Sequence, residues 1–186
     1  HYDIHTPVMS YHAHSKMQKV EAIMELLRQG KNLALVSDAG TPAISDPGSL
    51  LVSQVREFSK KESIPVDIVG IVGPSALTGA LSVSGLPTSD FLFLGFLPHK
   101  KGRETLFKEI AASVRTVVFY ESPHRILKAL ESLAKILEPD RKVVVARELT
   151  KIYEQTLSGS ANELLAYFTA HPDKVRGEFV VIVAAV

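Results

Sequence analysis

Residues 33–48 read Leu-Ala-Leu-Val-Ser-Asp-Ala-Gly-Thr-Pro-Ala-Ile-Ser-Asp-Pro-Gly, so a short apolar run leads directly into small, polar and turn-forming residues. Four consecutive apolar residues are typical of a strand that is buried on both faces of a sheet. In open α/β sheets, ligands bind beyond the carboxyl ends of such strands. The run therefore predicts a strand over 33–37, followed by a ligand-binding loop that begins at Asp38.

The second half of this run has the composition of a loop that leads into a helix. Gly40 and Gly48 allow the backbone to approach a bound molecule closely, because glycine carries no Cβ. Asp46 followed by Pro47 is typical of a helix N-cap and first helical residue, and predicts a helix over 47–60. An ordinary strand-turn-helix connection has a similar composition, so the loop alone does not identify a ligand.

Helical and strand patterns alternate along the chain, with a turn-rich division at 86–90. The first part predicts a helix from a capping box at 15–18 to Gly30, the strand 33–37, the helix 47–60, a strand at 66–72 and a short helix from 73–75 to Gly85. The second part predicts strands at 91–95, 116–120, 143–147 and 178–183, and a weaker strand at 153–158. It also predicts helices at 102–112 and 123–137, with Ser122 as the cap of the latter, and a capping box at 160–163. This order predicts an α/β fold with a mostly parallel sheet, in two α/β lobes at 1–88 and 89–186 with a cleft between them.

The composition excludes several classes of protein. Of the 186 residues, 46% are hydrophobic, which is enough to bury a core. The 21 basic and 20 acidic residues nearly balance, so any contact with nucleic acid must come from local patches. The absence of cysteine excludes disulfides and thiolate metal sites, and agrees with a reducing cytoplasm. The longest apolar run, at 179–186, is far shorter than the roughly 20 residues of a membrane-spanning helix.

Four later segments make the loop at 33–48 more specific. They are Gly-Pro-Ser-Ala-Leu at 73–77, the turn and strand at 84–98, Phe-Tyr-Glu-Ser-Pro-His-Arg at 119–125 and Ala-Arg-Glu-Leu-Thr-Lys at 146–151. In this order they resemble the family of ribosomal RNA small subunit methyltransferase I, over nearly the whole chain. The resemblance implies the tetrapyrrole methylase fold and S-adenosylmethionine-dependent methylation of the 2′-oxygen of a decoding-centre cytidine in 16S rRNA. It also implies a cytoplasmic homodimer that acts on 16S rRNA within the small ribosomal subunit.

The chain departs from the family pattern at its start. The family has a strand, a Thr-Pro-Ile-Gly-Asn loop and a Glu-Asp-Thr-Arg segment before the part that matches here, and we expect this chain to lack that strand-helix-strand unit. The missing loop forms part of the cofactor site in the family, so its absence would affect cofactor binding and activity in these 186 residues. A smaller departure is Ala43, which stands where the family usually has glycine.

The cofactor follows from the resemblance alone, since neither a Walker phosphate loop nor a Rossmann fingerprint is present. Carried over to this chain, the resemblance implies cofactor contacts from backbone and small residues on both sides of the cleft. These are Asp38, Ala39, Gly40, Ile44 and Ser45 in the first lobe, Ser75 and Ala76 in the next loop, and Leu97, Tyr120 and Ala146 in the second lobe. The same small residues would also fit simple packing of turns.

Methyl transfer to a ribose hydroxyl requires in-line positioning and an acceptor for the hydroxyl proton. Glu121, His124 and Glu148 follow predicted strands of the second lobe, and we expect one of the two carboxylates, rather than Asp38, to act as the base. Arg147 is the catalytic residue expected to orient a carboxylate or hold a phosphate. Structural roles fit these residues as well: Glu121 as a charge at a helix terminus, and Arg147 and Glu148 as an ion pair.

A basic cluster formed by Lys100, Lys101 and Arg103 interrupts an otherwise balanced chain. By itself it fits the solvated start of a helix. Beside an rRNA methylase site it becomes a phosphate-binding surface, to which Arg125 and Lys151 add further cations.

Two histidines near the start of the chain could begin a metal site. His12 and His14 would share one face of an extended segment, as the start of a metal site would require, but no further ligand cluster follows and the family uses no metal. We therefore expect no metal site.

Two alternatives to an rRNA methylase remain. They are a small-molecule methylase of the same fold and a non-catalytic ribosome-binding module.

Overall fold

A computed structural model describes residues 3–12 and 17–186 of the chain. The chain forms two compact units, His1–Pro74 and Ser75–Val186. Each unit has a hydrophobic core of its own.

The first unit is built on a pair of helices, α1 (Met17–Arg28) and α2 (Ser49–Glu62). Their apolar faces meet in a small core, as the spacing of apolar residues predicts. This core comprises Ile23, Met24, Leu51, Val55 and Phe58. The guanidinium of Arg28 donates two hydrogen bonds of 2.7 Å to the carboxylate of Glu62, which joins the ends of the two helices. The capping box predicted at 15–18 falls partly outside the described residues.

The strands predicted at 33–37 and 66–72 are wrong. Neither segment pairs with a strand anywhere in the described ranges 3–12 and 17–186. Several of their apolar side chains are open to solvent, with Val36 77% and Val72 99% exposed. An apolar segment becomes a strand only where a neighbour offers a matching ladder of backbone groups, and the segment's own sequence does not contain that neighbour.

Helix α2 begins two residues later than predicted. Its N-cap is Gly48, with φ 147° and no side-chain cap, so the prediction of Asp46 as N-cap and Pro47 as first helical residue is wrong. A Cβ on Gly48 would lie 2.8 Å from the Cδ2 of Leu35. Close packing and an unusual backbone angle, rather than a side-chain hydrogen bond, therefore set the start of this helix.

The second unit is a five-stranded sheet with helices on both faces. Its elements are α3 (Ala76–Ser84), β1 (Phe91–Phe96), α4 (Arg103–Ala111), β2 (Thr116–Glu121), α5 (Ile126–Ile136), β3 (Lys142–Arg147), β4 (Gln155–Ser160), α6 (Ala161–Ala170), a 3-10 turn (Pro172–Lys174) and β5 (Phe179–Val183). Every helix and strand predicted in this part is present, with bounds shifted by up to three residues. The weak pattern at 153–158 corresponds to β4.

The sheet of this unit is mixed rather than mostly parallel. Its strand order is β1-β2-β5-β3-β4, and only β1 and β2 pair in parallel. Strand β5 lies between β2 and β3 and is antiparallel to both, while β4 is antiparallel to β3. All five residues of β5 are buried. A strand buried on both faces has the same apolar pattern in either direction, so the sequence does not reveal its orientation.

Alternate residues of the strands face two different cores. Val117 and Phe119 point into the larger core, which α4, α5 and α6 cover, whereas Val118 and Tyr120 point toward α3. Helix α3, which the sequence analysis assigned to the first lobe, therefore packs on the sheet of the second unit. The division into functional lobes at residues 88 and 89 stays a prediction.

The helix caps of this unit differ from prediction at one helix and agree at another. Helix α5 has Arg125 at its N-cap, so the prediction of Ser122 as the cap is wrong. Ser122 contributes its carbonyl instead, which accepts hydrogen bonds from the N–H groups of Arg125 and Ile126. The capping box of α6 is confirmed: the Ser160 hydroxyl accepts the Glu163 N–H at 3.3 Å, and the Glu163 carboxylate accepts the Ser160 N–H at 2.7 Å.

Candidate active site

The loop predicted to bind the cofactor in the first unit is exposed and conformationally unusual. Positive φ angles occur at Gly40 (75°), Ala43 (69°), Ser45 (57°) and Gly48 (147°). A non-glycine residue in this region costs about 1–3 kcal/mol, and such residues cluster at ligand sites. The positive φ of Ala43 shows why glycine would suit this position. The predicted cofactor contacts Asp38, Ala39, Gly40, Ile44 and Ser45 are all exposed on this loop.

Hydrogen bonds inside the first unit hold this loop in place. The hydroxyl of Ser37 donates to the carbonyl oxygens of Ala39 and Gly40, at 3.3 Å and 3.1 Å. The hydroxyl of Thr41 donates to the carbonyl oxygen of Pro74 at 3.1 Å, which ties the loop to the Gly-Pro-Ser turn. Thr41 and Pro74, which are 33 positions apart in sequence, are thus in contact within the first unit.

The predicted cofactor residues of the second unit fall into two groups. Ser75 is the N-cap of α3 and Ala76 is its first residue, while Tyr120 and Ala146 belong to the core that this helix covers. The ring of Tyr120 packs edge-on against Phe93 and Phe96. The side chain of Leu97, by contrast, is 2% exposed and lies in the core on the opposite face of the sheet. Its backbone is therefore its only means of contacting a ligand on the α3 face.

Glu121 ends β2 and is buried between two arginines. Its Oε2 accepts a hydrogen bond from the Arg103 Nη2 and its Oε1 pairs with the Arg125 Nε, both at 2.8 Å. Its Oε1 also accepts the N–H of Ser122 at 2.9 Å. The Glu121 side chain is 0% exposed, so both carboxylate oxygens are occupied and out of contact with solvent.

Glu148 occupies a strained position just beyond β3, with φ 51°. Its Oε1 accepts hydrogen bonds from the Lys151 Nζ at 2.9 Å and from the Glu178 N–H at 3.0 Å. The Glu178 N–H and then Lys151 hold the pKa of the Glu148 carboxyl below its usual range. The Glu178 carboxylate and then that of Glu148 raise the pKa of Lys151. The Glu148 side chain is 15% exposed, so it is the more accessible of the two predicted bases.

Gly177 makes room for Glu148, and sequence reasoning did not identify it. Its φ is 85°, and a Cβ at this position would overlap the carboxylate and Cγ of Glu148. The one signal available in the sequence is the position of this glycine just before a predicted strand, which is typical of a turn or a close backbone approach.

Arg147 is buried and organises the loops around Glu148. Its Nε donates to the carbonyl oxygen of Arg176 at 2.8 Å, and its Nη1 donates to that of Tyr153 at 3.1 Å. Both loops border an open cleft of about 470 Å³. The lining residues are Arg147, Glu148, Tyr153, Glu154, Gln155, Asp173, Lys174 and Arg176. The structure thus brings Arg147, Glu148 and Lys151 together, and places Glu121 in a separate ion-pair cluster.

The predicted RNA-binding cations differ in accessibility. Lys100 and Lys101 are exposed, whereas Arg103 and Arg125 are largely buried, at 14% and 16% side-chain exposure, because they pair with Glu121. Within the described part of the chain, no three His, Cys, Asp or Glu residues are grouped as a metal site would require. His14, one of the two histidines considered above, lies outside that part.

Comparison with known proteins places this chain in a family. Residues 2–165 match the family model of the tetrapyrrole (corrin/porphyrin) methylases. The chain belongs to the tetrapyrrole methylase family. Within this family it is 44% identical over 184 residues to ribosomal RNA small subunit methyltransferase I of Escherichia coli O157:H7, and 42% identical over 183 residues to the protein of the same name from Thermotoga maritima.

These matches cover 98% of this chain in each case, but 62% of the E. coli protein and 78% of the T. maritima protein. A solved structure of uroporphyrin-III C-methyl transferase from Thermus thermophilus, complexed with S-adenyl homocysteine, has a TM-score of 0.55 and 18% identity to this chain. The match covers 88% of this chain and 72% of the T. thermophilus chain, and it confirms the predicted fold. Among the described residues, no helix has the length and apolar character needed to span a membrane.

Proposed function

We propose that the protein transfers a methyl group from S-adenosylmethionine to the ribose 2′-oxygen of a decoding-centre cytidine in 16S rRNA, within the small ribosomal subunit. The observation that carries this proposal is 44% identity, across 98% of the chain, to an rRNA small subunit methyltransferase. Of the motifs that carry the resemblance, the one at 146–151 supplies Arg147 and Glu148. We further propose a homodimer in the cytoplasm, which rests on the resemblance alone.

The cofactor supplies an electrophilic methyl group on a sulfonium. In the first unit, the exposed positive-φ loop offers backbone N–H and C=O groups that hydrogen-bond a polar ligand, and Asp38 offers a carboxylate to its positive or hydroxyl groups. In the second unit, Ser75, Ala76, Tyr120 and Ala146 lie at or beside α3. These residue types fit a small, polar and flexible nucleoside ligand.

The transfer forms a bond between the ribose oxygen and the methyl carbon as the bond between that carbon and sulfur breaks. The hydroxyl proton must leave at the same stage, and we assign its removal to Glu148, whose carboxylate is reachable from solvent. Arg147 holds the two loops that position Glu148. The Glu178 N–H and the Lys151 ammonium keep the carboxylate ionised, since both donate to Glu148 Oε1.

Replacing Asp38 by Ala is expected to weaken S-adenosylmethionine binding without changing the fold, because Asp38 is exposed and its carboxylate is free to meet the cofactor. Loss of one charged hydrogen bond corresponds to roughly 10-fold or more in Kd, measured by calorimetry. Asp140→Ala, an exposed aspartate in the second unit, is the control. Unchanged affinity in Asp38→Ala would leave Asp38 with a structural role only, and no heat of binding in the full-length wild-type protein would contradict the proposed function.

Replacing Lys100 and Lys101 together by Gln is expected to weaken binding to 16S rRNA. Each exposed lysine that neutralises a phosphate releases a counterion, so the double change should reduce the slope of log K against log salt by about 2. Affinity for S-adenosylmethionine should stay the same. If affinity for rRNA and its salt dependence are both unaltered, these lysines are only the solvated start of α4.

A further inference from the structure

The two arginine partners of the buried Glu121 carboxylate also contact the loop between β1 and α4. Arg125, which pairs with Glu121, also donates from its Nη1 to the carbonyl oxygen of Leu97 at 3.0 Å. Arg103, the other partner, donates from its Nη1 to the carbonyl oxygen of Pro98 at 3.2 Å. The two guanidinium groups therefore link Glu121 to the backbone at the start of the loop.

At the other end of the same loop, Arg103 alone of these residues makes the contacts. Arg103 is the first residue of α4, and its backbone N–H donates to the carbonyl oxygen of Lys100 at 3.2 Å. The Arg103 guanidinium also lies over the ring of Phe107, 5.1 Å from its centroid. The residues left between these fixed points are exposed, and two of them are Lys100 and Lys101.

We infer that Glu121 is a positioning residue: it pre-organises the loop at 97–102 so that Lys100 and Lys101 are held ready for the phosphates of rRNA. This inference rests on the proposed function. Two buried guanidinium groups need a counter-charge, and Glu121 provides it with both oxygens. A loop that is already ordered loses less conformational entropy when it binds, and so binds more tightly.

The geometry separates this role from that of a general base. A base must come within about 3 Å of the proton that it removes. The Glu121 side chain is 0% exposed and both its oxygens are occupied by Arg103, Arg125 and the Ser122 N–H. Glu121 therefore acts on the reaction through the loop that its arginine partners hold.

The test is Glu121→Gln in the full protein, with Glu131→Gln on the exposed face of α5 as the control. We expect faster amide hydrogen exchange at 99–102 and a roughly 10-fold weaker Kd for 16S rRNA, because the loop must then be ordered on binding. The single-turnover methylation rate at saturating rRNA should stay within about 2-fold of the wild type, since no reacting group is lost. A purely structural role would lower the folded fraction and leave the Kd of the folded protein unchanged.

Arg125→Gln is the second variant, for the case in which Glu121→Gln does not fold. It removes the bond to Leu97 but leaves Glu121 and Arg103 as a one-to-one pair, so no unpaired charge is buried. Faster exchange at 99–102 in the free protein together with weaker rRNA binding supports the inference, whereas weaker binding with unchanged exchange would mean that Arg125 itself contacts phosphate and would contradict the inference. If the wild type binds 16S rRNA and neither variant changes amide exchange at 99–102 or the Kd for rRNA, the inference is contradicted but the proposed function is not. If the wild type does not bind 16S rRNA, the proposed function fails and the inference with it.

Discussion

Replacing Glu148 by Gln is expected to lower the single-turnover rate of rRNA methylation about 10²-fold or more, with nearly unchanged affinity for S-adenosylmethionine and 16S rRNA. The amide oxygen of Gln can still accept the Glu178 N–H, so the local structure should survive, but an amide cannot take up the hydroxyl proton. Because the pKa of Glu148 is lowered, the wild-type carboxylate stays ionised as pH falls. The rate should therefore not fall through protonation of this base between about pH 8 and pH 5.

Glu178→Gln is the matched control for this experiment. Its carboxylate pairs with the same lysine, Lys151, at 2.9 Å, but its side chain is 70% exposed and it is not assigned a role in the reaction. A near-normal rate in Glu178→Gln together with a slow Glu148→Gln supports the assignment. A near-normal rate in Glu148→Gln would contradict it. In that case, positioning of the two substrates and removal of the hydroxyl proton by solvent would be sufficient for methyl transfer.

Replacing Gly177 by Ala is expected to lower the free energy of unfolding by about 2.5–5 kcal/mol, measured by urea denaturation. The positive φ of 85° costs an L-residue roughly 1–2 kcal/mol. The new Cβ would also displace the Glu148 side chain and break its charged hydrogen bond to the Glu178 N–H, which costs about 1.5–3 kcal/mol. The two costs add because they arise from the backbone and from the side chain separately.

Gly85→Ala separates these two costs. Gly85 also has a positive φ, 66°, but a Cβ there would meet nothing within 4 Å. It should therefore lose only the backbone part, about 1–2 kcal/mol. Equal losses for Gly85→Ala and Gly177→Ala would show that Glu148 does not lie over Gly177 as described.

Local signals in the sequence were a partial guide to the fold, since the helix caps predicted at Asp46 and Ser122 are wrong. The capping box at Ser160 and Glu163 needs only residues three positions apart, and the structure confirms it. The strands predicted at 33–37 and 66–72 depended on neighbours elsewhere in the chain, and they are wrong. The orientation of β5 depended on long-range pairing in the same way.

The candidate site shows the same limit. The sequence identified Glu121 and Glu148 as carboxylates that follow strands, but it gave no sign that Arg103, 18 residues away, would occupy one oxygen of Glu121. It also missed Gly177, because a close approach between residues 29 positions apart leaves no local pattern. Residue type and position on a strand were predictable, whereas the partners that decide a role were not.

The central claim is tested most directly by incubating the full-length protein with small ribosomal subunits and S-adenosylmethionine labelled in its methyl group, then locating the label. The account predicts label in 16S rRNA at the ribose 2′-oxygen of a cytidine, where methylation blocks alkaline cleavage of the adjacent phosphodiester. Label on a base, label accepted only by a tetrapyrrole, or no transfer by a protein that still binds the subunit would contradict it.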